Sequence, residues 1–198
     1  MNSFINRLQT KTENLKVTQP VTNLECSPTL GIYRKNISDK INALDIKQKI
    51  LHYRENNPDN LSTNVRAWRS SWLLHKKTNV FANLVKELES IGKDFYECDN
   101  LPNCTLKVNN FWAIIYGDNE YARWHDHGHE TLSLIYYVDV TPQTAPIEFE
   151  NGDDSFKFYP DVGDVVLIHG LNRHKVSKLN QNSRIVMAAN LHFIKNEL

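Results

Sequence analysis

Cysteine is scarce in this chain and odd in number: the three residues Cys26, Cys98 and Cys104 show no close metal-type pairing. That argues against a disulfide framework or a cysteine-rich zinc site, and leaves buried or idle thiols as the expectation. Excess charge of one sign is also missing, since Lys plus Arg and Asp plus Glu number 23 each. No basic field therefore points to nucleic acid or an anionic membrane surface. Long apolar runs are absent, no window approaches a membrane span, and Met1 to Thr10 lack the apolar centre of a signal peptide. The expectation is a soluble, cytoplasmic protein with neither nucleic acid nor membrane as partner. Repeats and low-complexity segments are lacking too. A chain of 198 residues can bury one full core and is short for two, so a single domain is expected.

What is present changes texture along the chain. Residues 1–20 read as a loosely held polar arm, and Val21 to Tyr33 as a short edge strand. Ser38-Asp39 is placed to cap a helix with apolar positions Ile41, Leu44, Ile46, Ile50 and Leu51, stopped at Asn56-Asn57-Pro58. A second helix, from about Asn79 to Tyr96, carries Val80, Phe81, Leu84, Val85, Leu88 and Ile91 on one stripe. Between them Val65 to Leu74 looks extended, and its Trp68 and Arg69 are candidates for the rim of a substrate pocket. After Pro102 come eight β-prone runs, roughly 104–116, 120–127, 131–140, 145–150, 154–158, 164–169, 173–179 and 183–193. Eight short strands broken by Gly, Asn, Asp and Pro imply a jelly roll or barrel. The fold expected is α+β: residues 1–103 form a supporting region whose helices pack on one sheet, and 104–198 form the jelly-roll core.

Three of the eight histidines fall within five positions, at His125, His127 and His129. Residues two apart on an extended strand share a face, so His125 and His127 can reach one ion together while Asp126 points away. A third ligand must come from a distance. His174 opens a strand after the turn at Gly170 and is the best candidate. Two or three imidazoles with open positions suit a catalytic iron, zinc, copper or nickel ion. His129 and Glu130 rank behind as ligands or as residues orienting one. His169 is a plausible cavity residue, and His52 and His75 are assigned no role.

Ten residues beyond His174, Arg184 opens a strand with Arg184, Val186, Ala188, Asn190 and His192 on one face and Ile185, Met187, Ala189, Leu191 and Phe193 on the other. The second face is core. The first is small and polar, with Asn190 facing a ligand space and Arg184 offering a planar fork to a carboxylate. Tyr116, nine residues before His125, can add a hydroxyl to the same carboxylate.

The Tyr before a strand-borne histidine, the histidine pair, the Gly163-Asp164 run into His174 and the arginine ten further on together resemble the 2-oxoglutarate and Fe(II)-dependent oxygenases. Trp124 to Gly128, Leu132 to Val138 and Ala145 to Phe149 are similar, more narrowly, to uncharacterised oxygenases bearing His-x-His. The resemblance covers residues 105–193. It implies a double-stranded β-helix (cupin-like jelly roll), Fe(II) on His125, His127 and His174, and 2-oxoglutarate held at its far carboxylate by Arg184 and Tyr116. With O2 the expected outcome is hydroxylation of an unidentified substrate, with succinate and CO2 released. The superfamily usually has His-x-Asp or His-x-Glu, whereas position 127 is histidine. Three neutral histidines, completion by Glu130, or an inward Asp126 are the readings open, the first being favoured. Alternatives for function are a three-histidine dioxygenase that uses no 2-oxoglutarate and a β-barrel binding module without catalysis.

Overall fold

The computed structural model describes residues 26–27, 31–58, 64–97, 104–129, 131–141, 146–178 and 183–195. The expected N-terminal arm and Glu130 lie outside them. In chain order the elements are β1 (Cys26–Ser27), β2 (Ile32–Asn36), α1 (Ala43–Asn56), β3 (Val65–Arg66), β4 (Trp68–Arg69), α2 (Leu74–Lys77) and α3 (Ala82–Glu97). The β-rich half follows: β5 (Cys104–Tyr116), β6 (Tyr121–His125), β7 (Thr131–Asp139), β8 (Ile147–Asn151), β9 (Asp154–Phe158), β10 (Asp164–His169), β11 (His174–Val176) and β12 (Arg184–Lys195).

Two antiparallel sheets face each other, as in a jelly roll. The major sheet runs β1-β2-β10-β7-β12-β5-β4 and the minor sheet β3-β6-β11-β8-β9. Strand β7 is buried along nearly its whole length because each of its faces meets a layer. Leu132, Leu134, Tyr136 and Val138 join the core under the helices, whereas Ile135 and Tyr137 join the core between the sheets. Strand β12 divides as its alternation predicts. Ile185, Met187, Ala189 and Leu191 pack toward the helices, and Val186 and Ala188 face the minor sheet. Strand β5 changes parity at a bulge: Asn190 pairs with Asn110 and Leu191 with Val108, so Asn109 is extra. The bulge leaves Trp112, Ile114 and Tyr116 pointing between the sheets.

Both long helices cover the outer face of the major sheet, α1 through Ile46 and Ile50 and α3 through Leu84, Leu88 and Ile91. The start of α1 differs from expectation. Asn42 caps it, its side chain accepting from Leu44 and Asp45 N–H, because Ile37 is buried and its N–H is held by the Gly163 carbonyl. Residues 37–41 are thus committed to a packed turn before the helix can begin. Leu44 and Leu51, expected on the buried stripe, are exposed. No described helix is long and apolar enough to cross a membrane.

Candidate active site

The minor sheet brings His125 and His174 face to face as paired residues of β6 and β11. Their geometry departs from simple alternation. Ala122 pairs with Val176 and His125 with His174, so β6 carries an extra residue in a bulge. Strand β6 then ends at His125, and His127 comes from the loop beyond rather than from the same strand. That loop is fixed by backbone bonds: His127 N–H donates to Gly170 O at 2.7 Å, and Gly170 N–H to Thr131 O at 2.7 Å. Gly170 makes this contact possible, because a Cβ there would sit 2.3 Å from Gly128 O and 2.8 Å from Thr131 O.

The three rings converge. Centroids of His125 and His174 are 4.3 Å apart, those of His127 and His174 5.2 Å, and one nitrogen from each ring lies within 4.8 Å of the others. Nδ1 of His125 donates to Arg123 O at 2.7 Å, and Nδ1 of His174 to Asn172 O at 2.8 Å. A carbonyl can only accept, so in both rings the proton is assigned to Nδ1 and Nε2 keeps its lone pair. Burial lowers all three pKa values. His174 falls well below its ordinary value, and His127 falls to about 4 with His125 as a secondary cause. Neutral rings with oriented lone pairs are what a divalent ion requires. Metal–nitrogen bonds of about 2.1 Å at right angles place ligand atoms about 3 Å apart, so small ring rotations close the set. The residues fit a metal ion.

The other candidates stand outside the triad. Asp126 is exposed, its Oδ1 accepting from Gly128 N–H in a local turn, and His129 is exposed outside the triad. Glu130 lies outside the described residues. Asn190 accepts from Ser133 Oγ at 2.7 Å, and its side chain contributes a hydrogen bond that raises the His127 pKa against the larger effect of burial. Trp68 is corrected from pocket rim to core. It packs with Tyr53 under α1, and its Nε1 donates to Asn57 O. Arg69 does not line the cavity; it lies under Trp72, its guanidinium 4.1 Å from that ring.

Between the sheets a cavity joins the histidines to Arg184 and Tyr116. Arg184 is 1% exposed and pairs across the strands with Tyr116. Its guanidinium lies 5.4 Å from the Tyr116 ring and 4.9 Å from that of Tyr137. Burial pushes both phenols up to about 12, a shift the guanidinium only partly offsets. They stay protonated and can donate to an anion held by Arg184. Tyr137 was not singled out from the sequence, although alternation along β7 places it with Ser133 and Ile135 on the inward face. Trp112, which lines the cavity, was missed as well, whereas Trp72, another lining residue, belongs to the extended run read as a possible pocket rim, although Trp68 and Arg69 were its nominees.

No family model matches the chain, and no curated protein is similar to it in sequence. Solved structures do resemble it. A Pseudomonas putida prolyl-4-hydroxylase superposes with a TM-score of 0.63 at 10% identity, over 83% of this chain and 93% of that one. HygX from Streptomyces hygroscopicus, with nickel and 2-oxoglutarate bound, gives 0.62 at 12% identity over 83% of each chain. SnoK, a non-heme alpha-ketoglutarate-dependent carbocyclase from nogalamycin biosynthesis, gives 0.63 at 12% identity over 88% of this chain and 87% of that one. The chain is built on the double-stranded β-helix fold of the 2-oxoglutarate and Fe(II)-dependent oxygenases, as the resemblance in its sequence implies.

Proposed function

We propose that this protein is an Fe(II)- and 2-oxoglutarate-dependent oxygenase that hydroxylates its substrate. The supporting observation is co-location: three neutral imidazoles and a buried guanidinium line one cavity, reached from opposite sheets. His125, His127 and His174 would hold the metal, and Arg184 with Tyr116 and Tyr137 the far carboxylate of 2-oxoglutarate. Iron so bound supplies the redox chemistry by which 2-oxoglutarate, O2 and a C–H substrate become succinate, CO2 and an alcohol. The chain's own part is positioning and exclusion of water. Backbone carbonyls keep the His125 and His174 lone pairs aimed inward, the fork of Arg184 orients the dianion, and Ile114, Ile135 and Val186 keep the walls dry. HygX, with nickel and 2-oxoglutarate bound, supports the reading by fold.

Anaerobic titration of Fe(II)-loaded protein with 2-oxoglutarate tests it directly. Binding that needs metal and is weakened at least about tenfold by Arg184→Ala is expected. Succinate should form on admission of O2. Absence of joint binding, or an Arg184→Ala variant with unchanged affinity, would overturn the assignment. A second reading draws on the lack of a carboxylate in the described metal group: a three-histidine iron dioxygenase in which Arg184 holds the substrate itself. Turnover that persists without 2-oxoglutarate would select it.

A further inference from the structure

A file of three rings leads from solvent to the candidate metal site. The Trp72 indole meets Trp112 edge-on at 4.4 Å, and Trp112 stacks on His127 at 6.2 Å. Trp112 is 3% exposed, and packing explains it. Trp72 is 37% exposed while lining the same cavity, so a large aromatic surface stands at the mouth. It is also held stiffly. Arg69, itself 2% exposed, places its guanidinium 4.1 Å from the indole and donates from Nη1 to Ser70 O.

A cation against one face of an indole draws electron density toward itself. The other face is then a poorer partner for an ammonium group and a good one for a neutral, electron-rich ring. Hydrogen-bonding capacity near this wall is small. Among the described cavity residues outside the histidines and the Arg184 group, the polar side-chain groups are the indole N–H of Trp72 and of Trp112, Asn64, Asp126 and Ser133, the last engaged by Asn190. A sugar or a peptide backbone buried there would leave polar groups unpaired, at a cost of about 1–3 kcal/mol each. A flat apolar ring meets no such cost.

We propose that the substrate is a small molecule bearing a neutral aromatic ring, which stacks on Trp72 and presents its reactive carbon to the histidine-held metal. The assignment rests on the oxygenase reading and adds the substrate class to it. Ring stacking supplies the affinity, and the rigid Arg69–Trp72 pair sets the ring's angle to the cavity.

The test uses Zn(II)-loaded protein, which does not turn over, with and without 2-oxoglutarate. Indole, phenol and 2-naphthol serve as ring probes, glucose and tetra-alanine as ring-free probes, and Ala-Ala-Tyr-Ala-Ala as a peptide-borne ring. Ligand-observed NMR reads binding. Free rings should bind and the ring-free probes should not. Trp72→Ala should weaken ring binding about tenfold or more, and Trp72→Phe should restore most of it, with 2-oxoglutarate affinity unchanged in both. Free rings that fail to bind, or that bind Trp72→Ala as well as wild type, would overturn the proposal even where metal and 2-oxoglutarate bind normally. A peptide-borne ring bound tenfold more tightly than the free rings would overturn the small-molecule assignment. Loss of 2-oxoglutarate binding alone would refute the oxygenase reading, and the ring titration on the Zn(II) form would still decide this proposal.

Discussion

Among the described residues, three neutral imidazoles give a bound divalent ion no anionic ligand, whereas the His-x-Asp arrangement of the family that the sequence resembles supplies one negative charge at position 127. His127→Asp should therefore bind Fe(II) more tightly than wild type, by roughly tenfold, and His127→Ala more weakly. Competition against a chelator of known affinity measures both, and an Asp variant as weak as the Ala variant would refute the charge argument. The same histidines make the metal-free protein acid-sensitive. Burial holds His127 at about 4 against 6.5 when unfolded, and lowers His125 and His174 in the same direction. Between these values the unfolded chain binds protons that the folded chain refuses, so stability falls as pH drops from about 6.5 toward 4. The loss is on the order of 2 kcal/mol from His127 alone. Urea unfolding at pH 7.5 and 4.5 checks it, a flat response contradicting the burial. Single residues were unevenly legible. Histidine spacing and the alternation around Arg184 nominated residues that the fold brings together. Trp68 and Trp72 could not be told apart, because β4 ends at Arg69 and Trp72 stands in a turn beyond it, which no periodicity reveals.

Strands were more legible than the turns that aim them. The eight runs read after Pro102 match β5 to β12 closely, because β-branched and aromatic residues recur between turn formers. The bulges in β5 and β6 left no such mark, and they decide which side chains face inward. The cap of α1 was misplaced for a tertiary reason, the pinning of Ile37 by Gly163. Asn42→Ala should cost about 1 kcal/mol and leave metal binding intact, since α1 contributes nothing to the cavity. Gly170→Ala should behave oppositely. Its methyl group would press on Gly128 O and Thr131 O, both backbone atoms, and could be accommodated only by moving the loop that carries His127. A loss of about 1–3 kcal/mol in chemical denaturation is expected, together with weakened metal binding. If the Ala variant keeps wild-type metal affinity, the contact between the two loops does not position His127.

At the scale of the whole molecule, the two halves of the site belong to different sheets. His125 and His174 stand on the minor sheet, whereas Arg184, Tyr116 and Tyr137 stand on the major sheet, which the helices brace from outside. That layered arrangement could be anticipated from strand count and helix periodicity. The strand order could not, because long-range pairing depends on which strands find one another. A co-substrate chelating the metal at one end and bound by Arg184 at the other would tie the sheets together. Its stabilising effect should then depend on both halves. Saturation at a hundred times the dissociation constant contributes about 2.7 kcal/mol. For a chain of this size that is about 5–10 °C in Tm. In thermal unfolding, wild type should gain one increment from Zn(II) and a second from 2-oxoglutarate only when Zn(II) is present. Arg184→Ala should keep the first and lose the second, and His174→Ala should lose both. A 2-oxoglutarate shift of equal size without metal would show that the ligand does not span the sheets, and the two sets of residues would have to be assigned to separate ligands.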